Sequence, residues 1–306
     1  MNNNENMSPP KPGLLKIWFL AIRPKTLPAS TGPVLVGLGL ALGDGVFKFG
    51  PAIATLLAAL LLQITSNLAN DVYDFKKGTD TKERLGPLRV TQAGLLSPRQ
   101  VMGGIAFVLG LAFLLGLYLV YVGGWPILVI GFLSAVAAIA YTAGPFPLGY
   151  KGVADIFVFV FFGLIAVCGA YYLQAGYVSP AAWWASVPAG LLVVAILVVN
   201  NLRDIETDRQ AGKKTPAVRF GVRFTQLQYL TSVGAAYLIT VLMWLLGIAP
   251  NTVFLVALSL PLAVRGVKDV FTLQGPPLNA TLAVTARLVL VYCILFAMGY
   301  CIGFMG

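Results

Sequence analysis

ITSNLANDVYDFKKGTDTKER, residues 64–84, begins as the end of an apolar run and finishes as a charged loop. Two Asn and three Asp stand where a hydrophobic stretch meets water. The surrounding composition says which water that is. The 306-residue chain is 58% hydrophobic and 10% charged, with a mean hydropathy of +0.85. Soluble domains carry about 25% charged residues, so this chain cannot cover a globular surface with charge. It reads as an all-α polytopic membrane protein.

A helix needs about 20 apolar residues to cross a bilayer. Spans are expected near 27–43, 50–70, 101–122, 125–142, 154–174, 181–201, 226–248, 251–267 and 281–304. That makes about nine transmembrane helices in a bundle, with residues 14–306 read as a single domain. The polar lead of residues 1–13 reads as disordered and lacks the apolar core of a signal peptide. An amphipathic piece, LLKIWFLAIRP, precedes the first span and suits the interface.

Counting charges along alternating loops tests this scheme. Twenty of the 21 Lys and Arg fall on one side; Lys48 alone falls on the other. Positive charge marks the cytoplasmic side, so the N-terminus is expected there. The net charge of +10 then reflects topology and anionic lipid headgroups, and asks for no nucleic-acid partner. Histidine is absent, which removes the commonest general base and haem ligand. Neither haem nor nicotinamide is expected. Cys168, Cys293 and Cys301 form no CxxC pair and read as small buried hydrophobes.

Seven of the eleven acids fall in two clusters: Asp71, Asp74, Asp80 and Glu83, then Asp204, Glu206 and Asp208. The first follows the second span and the second follows the sixth. Four crossings separate them, so both emerge on the cytoplasmic face. Asn200, Asp204 and Asp208 are spaced four apart, as are Asn67 and Asp71, and Asn70 and Asp74; on a helix such residues share a face. Carboxylate and amide oxygens of this kind suit Mg²⁺, which takes one or two carboxylates together with substrate phosphates. Basic residues flank both clusters: Lys76, Lys77, Arg84 and Arg89 beside the first, Arg203, Arg209, Lys213 and Lys214 beside the second. Acids to hold metal and bases to hold phosphate oxygens make a diphosphate site. A solvated mixed-charge loop is the plain alternative for either cluster alone. The repetition of the pattern on one face argues against it, as does the cost of placing Asn and Asp on a last helical turn.

These paired motifs resemble the UbiA superfamily of intramembrane prenyltransferases. RPKTLPAS (23–30), SNLANDVYDFKKGTD (66–80), RLGPLRVTQAG (84–94), YTAGPFPLGYKGVADIFVFVFFG (141–163) and NNLRDIETDRQAGKKT (200–215) are similar to the branch that prenylates 1,4-dihydroxy-2-naphthoate in menaquinone synthesis. The resemblance runs to about residue 225 and weakens beyond. It departs at Gly78, where many members carry a third acid; here Asp80 follows two residues later.

The resemblance implies transfer of a polyprenyl group from its diphosphate to the naphthoate ring, with loss of CO₂ and diphosphate. It implies Mg²⁺ held by Asn70, Asp71, Asp74, Asp80, Asn200, Asp204 and Asp208. Lys76, Lys77, Arg84, Arg89, Arg203 and Lys214 are the candidate phosphate donors. Tyr73, Tyr141, Phe146 and Tyr150 are candidates to face an allylic cation, or are belt aromatics. Asp155 either orients or deprotonates the acceptor, or is a helix-start acid. Lys151 or Arg23 is placed to meet the acceptor's carboxylate. Three other readings stay open: the same scaffold acting on 4-hydroxybenzoate or homogentisate, another use of that scaffold such as terpene cyclisation, or an ion-coupled transporter. The last would place its acids near the midplane, whereas these lie at one edge.

Overall fold

A computed structural model describes residues 12–78, 85–143 and 152–305. The expected disordered lead falls almost wholly on residues 1–11, outside the described residues. Those described form helices and turns.

The chain opens with α1 (Leu14–Ile22), which rests Ile17 and Ala21 on its neighbour and leaves Leu14, Leu15 and Phe19 exposed. At Arg23 the backbone turns into the left-handed region (φ 56°), and a 3₁₀ turn, Pro24–Thr26, follows. The helical region is disfavoured for the residue before a proline, which suits the exit of the chain from α1 at Arg23, and Leu14–Thr26 stands bent by 55° against α2 (Pro28–Gly43). Then come α3 (Phe49–Lys76), α4 (Pro98–Gly123) and α5 (Trp125–Ala140). One continuous span joins α6 (Ala154–Val158), a π-helical stretch (Phe159–Ile165) and α7 (Ala166–Ala175). The second half holds α8 (Pro180–Arg203), the short α9 (Ile205–Gln210), α10 (Pro216–Leu245), α11 (Leu260–Thr272) and α12 (Leu278–Met305).

Three of these helices start on the same chemistry. Ser97, Ser179 and Thr215 each accept a hydrogen bond from the N–H three residues on, and each precedes a proline at the first helical position. The side-chain oxygen caps an orphan donor and the proline lacks one.

Among the described residues six helices are long and apolar enough to span a membrane, and the bent pair Leu14–Thr26 with Pro28–Gly43 makes up to seven. The expected count of nine is reached only by adding two shorter pieces. α5 is 16 residues long. The expected span at 251–267 is a 3₁₀ stretch, Asn251–Ser259, that becomes α11. Pro261 supplies the reason: it has no N–H to give and its ring crowds the carbonyl four residues back.

α8 is the central helix, with 67% of its span buried against 17% for α4 at the lipid-facing rim. It packs on α2, α10, α12 and the π-helical stretch. A Cβ on Gly163 would stand 2.8 Å from Gly190 Cα, so both glycines are needed for that close crossing. This arrangement brings the last turn of α8 and the last turn of α3 to the same end of the bundle.

Candidate functional site

At that end the two Asn/Asp clusters share one cavity of about 90 Å³. From α3 come Asn70 and Asp74. From α8 and α9 come Asn200, Asn201, Asp204 and Asp208, and Arg89, Tyr141, Thr142, Lys213 and Thr215 complete the polar wall. The four-residue spacing read from the sequence does this: one face of each helix end points inward.

Every carboxylate on the wall has a basic partner. Arg89 Nη2 donates to Asp74 Oδ2 at 2.7 Å, Arg203 Nη2 to Asp204 Oδ2 at 2.6 Å, and Lys213 Nζ lies 2.9 Å from Asp208 Oδ1. Burial raises the Asp208 carboxyl above the usual carboxylate range, and Lys213 partly offsets this. Tyr141 follows the end of α5. It lines the cavity alongside Asp74 and Asp208.

Lys213 reaches Asp208 because of the turn after α9. Gly212 takes φ 68°, its N–H bonds Arg209 O at 3.1 Å, and the Lys213 N–H bonds Asp208 O at 2.9 Å. This is a Schellman closure. It folds Lys213 back over the acid and leaves Lys214 exposed outside the cavity lining.

Asp71 is placed differently from the metal ligand expected of it. It is fully buried, and its two oxygens accept the main-chain N–H groups of Val90 and Thr91, each at 3.0 Å. Arg23 Nη2 stands 3.8 Å away. Residues 90–94 form a helical turn closed at Gly94, where Leu95 N–H bonds Val90 O at 2.9 Å. Asp71 caps the start of that turn and is absent from the cavity wall. One residue's step along α3 turns it about 100° from Asn70, away from the cavity. Asn67, its four-residue neighbour, donates to Ile22 O at 2.8 Å and to Thr26 Oγ1 at 2.9 Å, pinning the α1–α2 bend.

Among the candidate phosphate donors, Arg89 lines the cavity. Lys77 Nζ donates to Thr142 O at 2.6 Å, while the Thr142 hydroxyl donates to Asn70 Oδ1. Lys76 is exposed, its ammonium 5.6 Å over the Tyr73 ring. Arg203 stands behind the wall, 2% exposed, and spends its guanidinium on side chains: Nε on Asp204 Oδ1 at 2.8 Å, Nη2 also on Asn200 Oδ1 at 2.6 Å, and Nη1 on Asn279 Oδ1 at 2.8 Å. It holds two wall residues in place where a phosphate donor was expected. Arg23 lies on Asp71 and away from the cavity lining. Asp155 accepts from Gln228 Nε2 at 2.6 Å; its other oxygen is buried without a partner among the described residues. Asp80, Arg84 and Lys151, with Phe146 and Tyr150, lie outside the described residues.

Thr142, Asn201, Lys213, Thr215, Gln228 and Asn279 belong to the site or its supports and were not singled out as site residues from the sequence. Lys213 carried a signal, the QAGKKT run, without a way to choose between two adjacent lysines.

A cation fits this oxygen set in one manner. Among the described residues no three acidic or thiol side chains gather round a single point. The carboxylate and amide oxygens come instead from two helix ends, α3 and α8–α9, which suits Mg²⁺ held jointly by protein and a diphosphate.

The UbiA prenyltransferase family model matches residues 30–273. The chain belongs to the UbiA prenyltransferase family. A UbiA relative in Haemophilus influenzae, named 1,4-dihydroxy-2-naphthoate octaprenyltransferase, is 37% identical over 94% of this chain and 97% of its own. One of the same name in Escherichia coli is 44% identical over 67% of this chain and 68% of its own. The UbiA homologue of Aeropyrum pernix K1 has the same fold (TM-score 0.68, 15% identity, 86% of this chain and 94% of that one). So has an Archaeoglobus fulgidus UbiA homologue described as bound to DMAPP and Mg²⁺ (TM-score 0.62, 16% identity, 91% and 98%).

Proposed function

We propose that this UbiA protein transfers a polyprenyl group from polyprenyl diphosphate to 1,4-dihydroxy-2-naphthoate, releasing CO₂ and diphosphate. One observation carries the reading: Asn70 and Asp74 from one end of the chain, and Asn200, Asp204 and Asp208 from the other, line a single cavity with Arg89 and Lys213. The names of the Haemophilus and Escherichia relatives support the acceptor.

Asn70, Asp74, Asn200, Asp204 and Asp208 would hold Mg²⁺, which neutralises charge on a leaving diphosphate. Asp80 remains a candidate ligand. Arg89 and Lys213 are the cations already inside the cavity. When a diphosphate enters, they turn from Asp74 and Asp208 toward its oxygens, freeing those carboxylates. Charge-assisted bonds of this sort are about twice as strong as neutral ones.

Loss of diphosphate leaves an allylic cation that water would quench, so the cavity must be covered. The 85–97 segment is fastened beside it by Asp71 and Asp74. Tyr141 lines the cavity with Asp74 and Asp208 and is the aromatic group offered to the cation. Asp155, oriented by Gln228, is the group available to take a phenolic proton from the acceptor in a chain without histidine. We place the site on the cytoplasmic face of a bacterial inner membrane, from the 20-to-1 distribution of basic residues.

The test is transfer by purified protein supplied with labelled polyprenyl diphosphate and, in turn, 1,4-dihydroxy-2-naphthoate, 4-hydroxybenzoate and homogentisate, with and without Mg²⁺. Product with the naphthoate alone, dependent on Mg²⁺, is expected. Product with another acceptor would replace the substrate assignment, and metal-independent transfer would remove the role given to the acids.

A further inference from the structure

α12 begins after Pro276–Pro277, and its second residue, Asn279, reaches back to two distant parts of the chain. Its side-chain oxygen accepts from Arg203 Nη1 at 2.8 Å. Its side-chain NH₂ donates to the main-chain oxygen of Leu85 at 2.8 Å. Asn279 lies beyond residues 30–273, the part matched by the family model, and outside both acidic clusters.

The two partners matter. Arg203 is 2% exposed and donates to Asp204 and Asn200, which line the cavity. Leu85 lies four residues before Arg89, the partner of Asp74. One amide therefore ties the support of the second cluster to the strand of chain that serves the first. Only a group that accepts and donates from the same planar end does this; a carboxylate keeps the arginine and loses the carbonyl, and an alkyl chain loses both.

We propose that Asn279 is a positioning residue for the diphosphate cradle. It fixes the rotation of the Arg203 guanidinium, and with it Asn200 and Asp204, while setting the height of the Arg89 segment over the cavity. The proposal deepens the prenyl-diphosphate reading and rests on it. A displacement of about 1 Å in such a constellation costs roughly 100-fold in rate.

The experiment compares wild type, Asn279→Leu and Asn279→Asp as purified protein in detergent micelles. It records the thermal midpoint, KM for polyprenyl diphosphate, KM for the acceptor, kcat, and the Mg²⁺ concentration giving half-maximal rate. Asn279→Leu is expected to lower kcat/KM for the diphosphate about 10- to 100-fold and to raise the half-saturating Mg²⁺, with acceptor KM unchanged. Asn279→Asp, which keeps the Arg203 contact, is expected to fall between it and wild type, and it carries the test if the leucine variant does not fold. Diphosphate KM and Mg²⁺ half-saturation equal to wild type in the folded variants would overturn the proposal, whatever the thermal midpoint does. If wild type itself transfers no prenyl group, the reaction assignment fails. Calorimetric binding of inorganic pyrophosphate with Mg²⁺ then decides this inference: binding by wild type that weakens in Asn279→Asp sustains it, and no binding, or equal binding, overturns it.

Discussion

Arg89 and Asp74 form an ion pair at 2.7 Å inside the cavity, with both side chains under 10% exposed. The pair describes the site at rest: each acid on the wall has a base beside it, Arg203 and Lys213 from the same stretch of chain as Asp204 and Asp208, and Arg89 from the segment that follows α3. Removing one partner of a buried pair costs about 3–5 kcal/mol when the other charge is left behind. Asp74→Asn and Asp204→Asn are each expected to cut turnover by about 100-fold or more, while the protein still inserts and purifies. Steady-state transfer assays on the two purified variants check this; a rate within a few-fold of wild type in either would remove that residue from the reaction.

Asp71 and Asp74 are three residues apart and are expected to fail differently. Asp71→Asn replaces one acceptor oxygen with a donor that faces a main-chain N–H. Hydrogen bonds to a charged group are worth about 2 kcal/mol, so the thermal midpoint should fall by several degrees. Its Mg²⁺ half-saturation at low temperature should stay within a few-fold of wild type. Asp74→Asn should lower the midpoint as well, since it strips buried Arg89 of its partner, but of the two variants it alone should raise the half-saturation. The paired measurement is a thermal melt and a Mg²⁺ titration of the rate for both variants.

Lys213 and Lys214 separate in the same way. Lys213→Ala is expected to raise KM for the prenyl diphosphate about tenfold, and Lys214→Ala to leave it unchanged, because only Lys213 folds back on Asp208. Gly212→Ala should copy part of the Lys213→Ala defect, since a left-handed backbone costs about 1–2 kcal/mol for a residue with a Cβ. Donor KM values for the three variants give the comparison.

What the sequence disclosed followed the range of its signals. Helical spacing turns Asn70/Asp74 and Asn200/Asp204/Asp208 into inward faces, and counting crossings puts both at one end of the bundle; both are local or additive. Asp71 was grouped with its neighbours because adjacent letters look alike, although they point in different directions on a helix. The choice of Lys213 over Lys214 depended on the φ of Gly212. Asn279 had no local signal at all, since its partners lie 76 and 194 residues away. Likewise, the contacts of Arg203 with Asn200, Asp204 and Asn279 are ones that spacing does not encode. The count of nine spans includes α5 and the 3₁₀ entry to α11, which are apolar in sequence but shorter or less regular than the other helices.

The central claim is that the two clusters make one cradle. The direct measurement is calorimetric binding of inorganic pyrophosphate, with Mg²⁺ present and absent, to wild type, Asp74→Asn and Asp204→Asn. Binding that needs Mg²⁺ and is lost in both variants is the predicted result. Undiminished binding in either variant would mean that one cluster suffices, and would contradict the account.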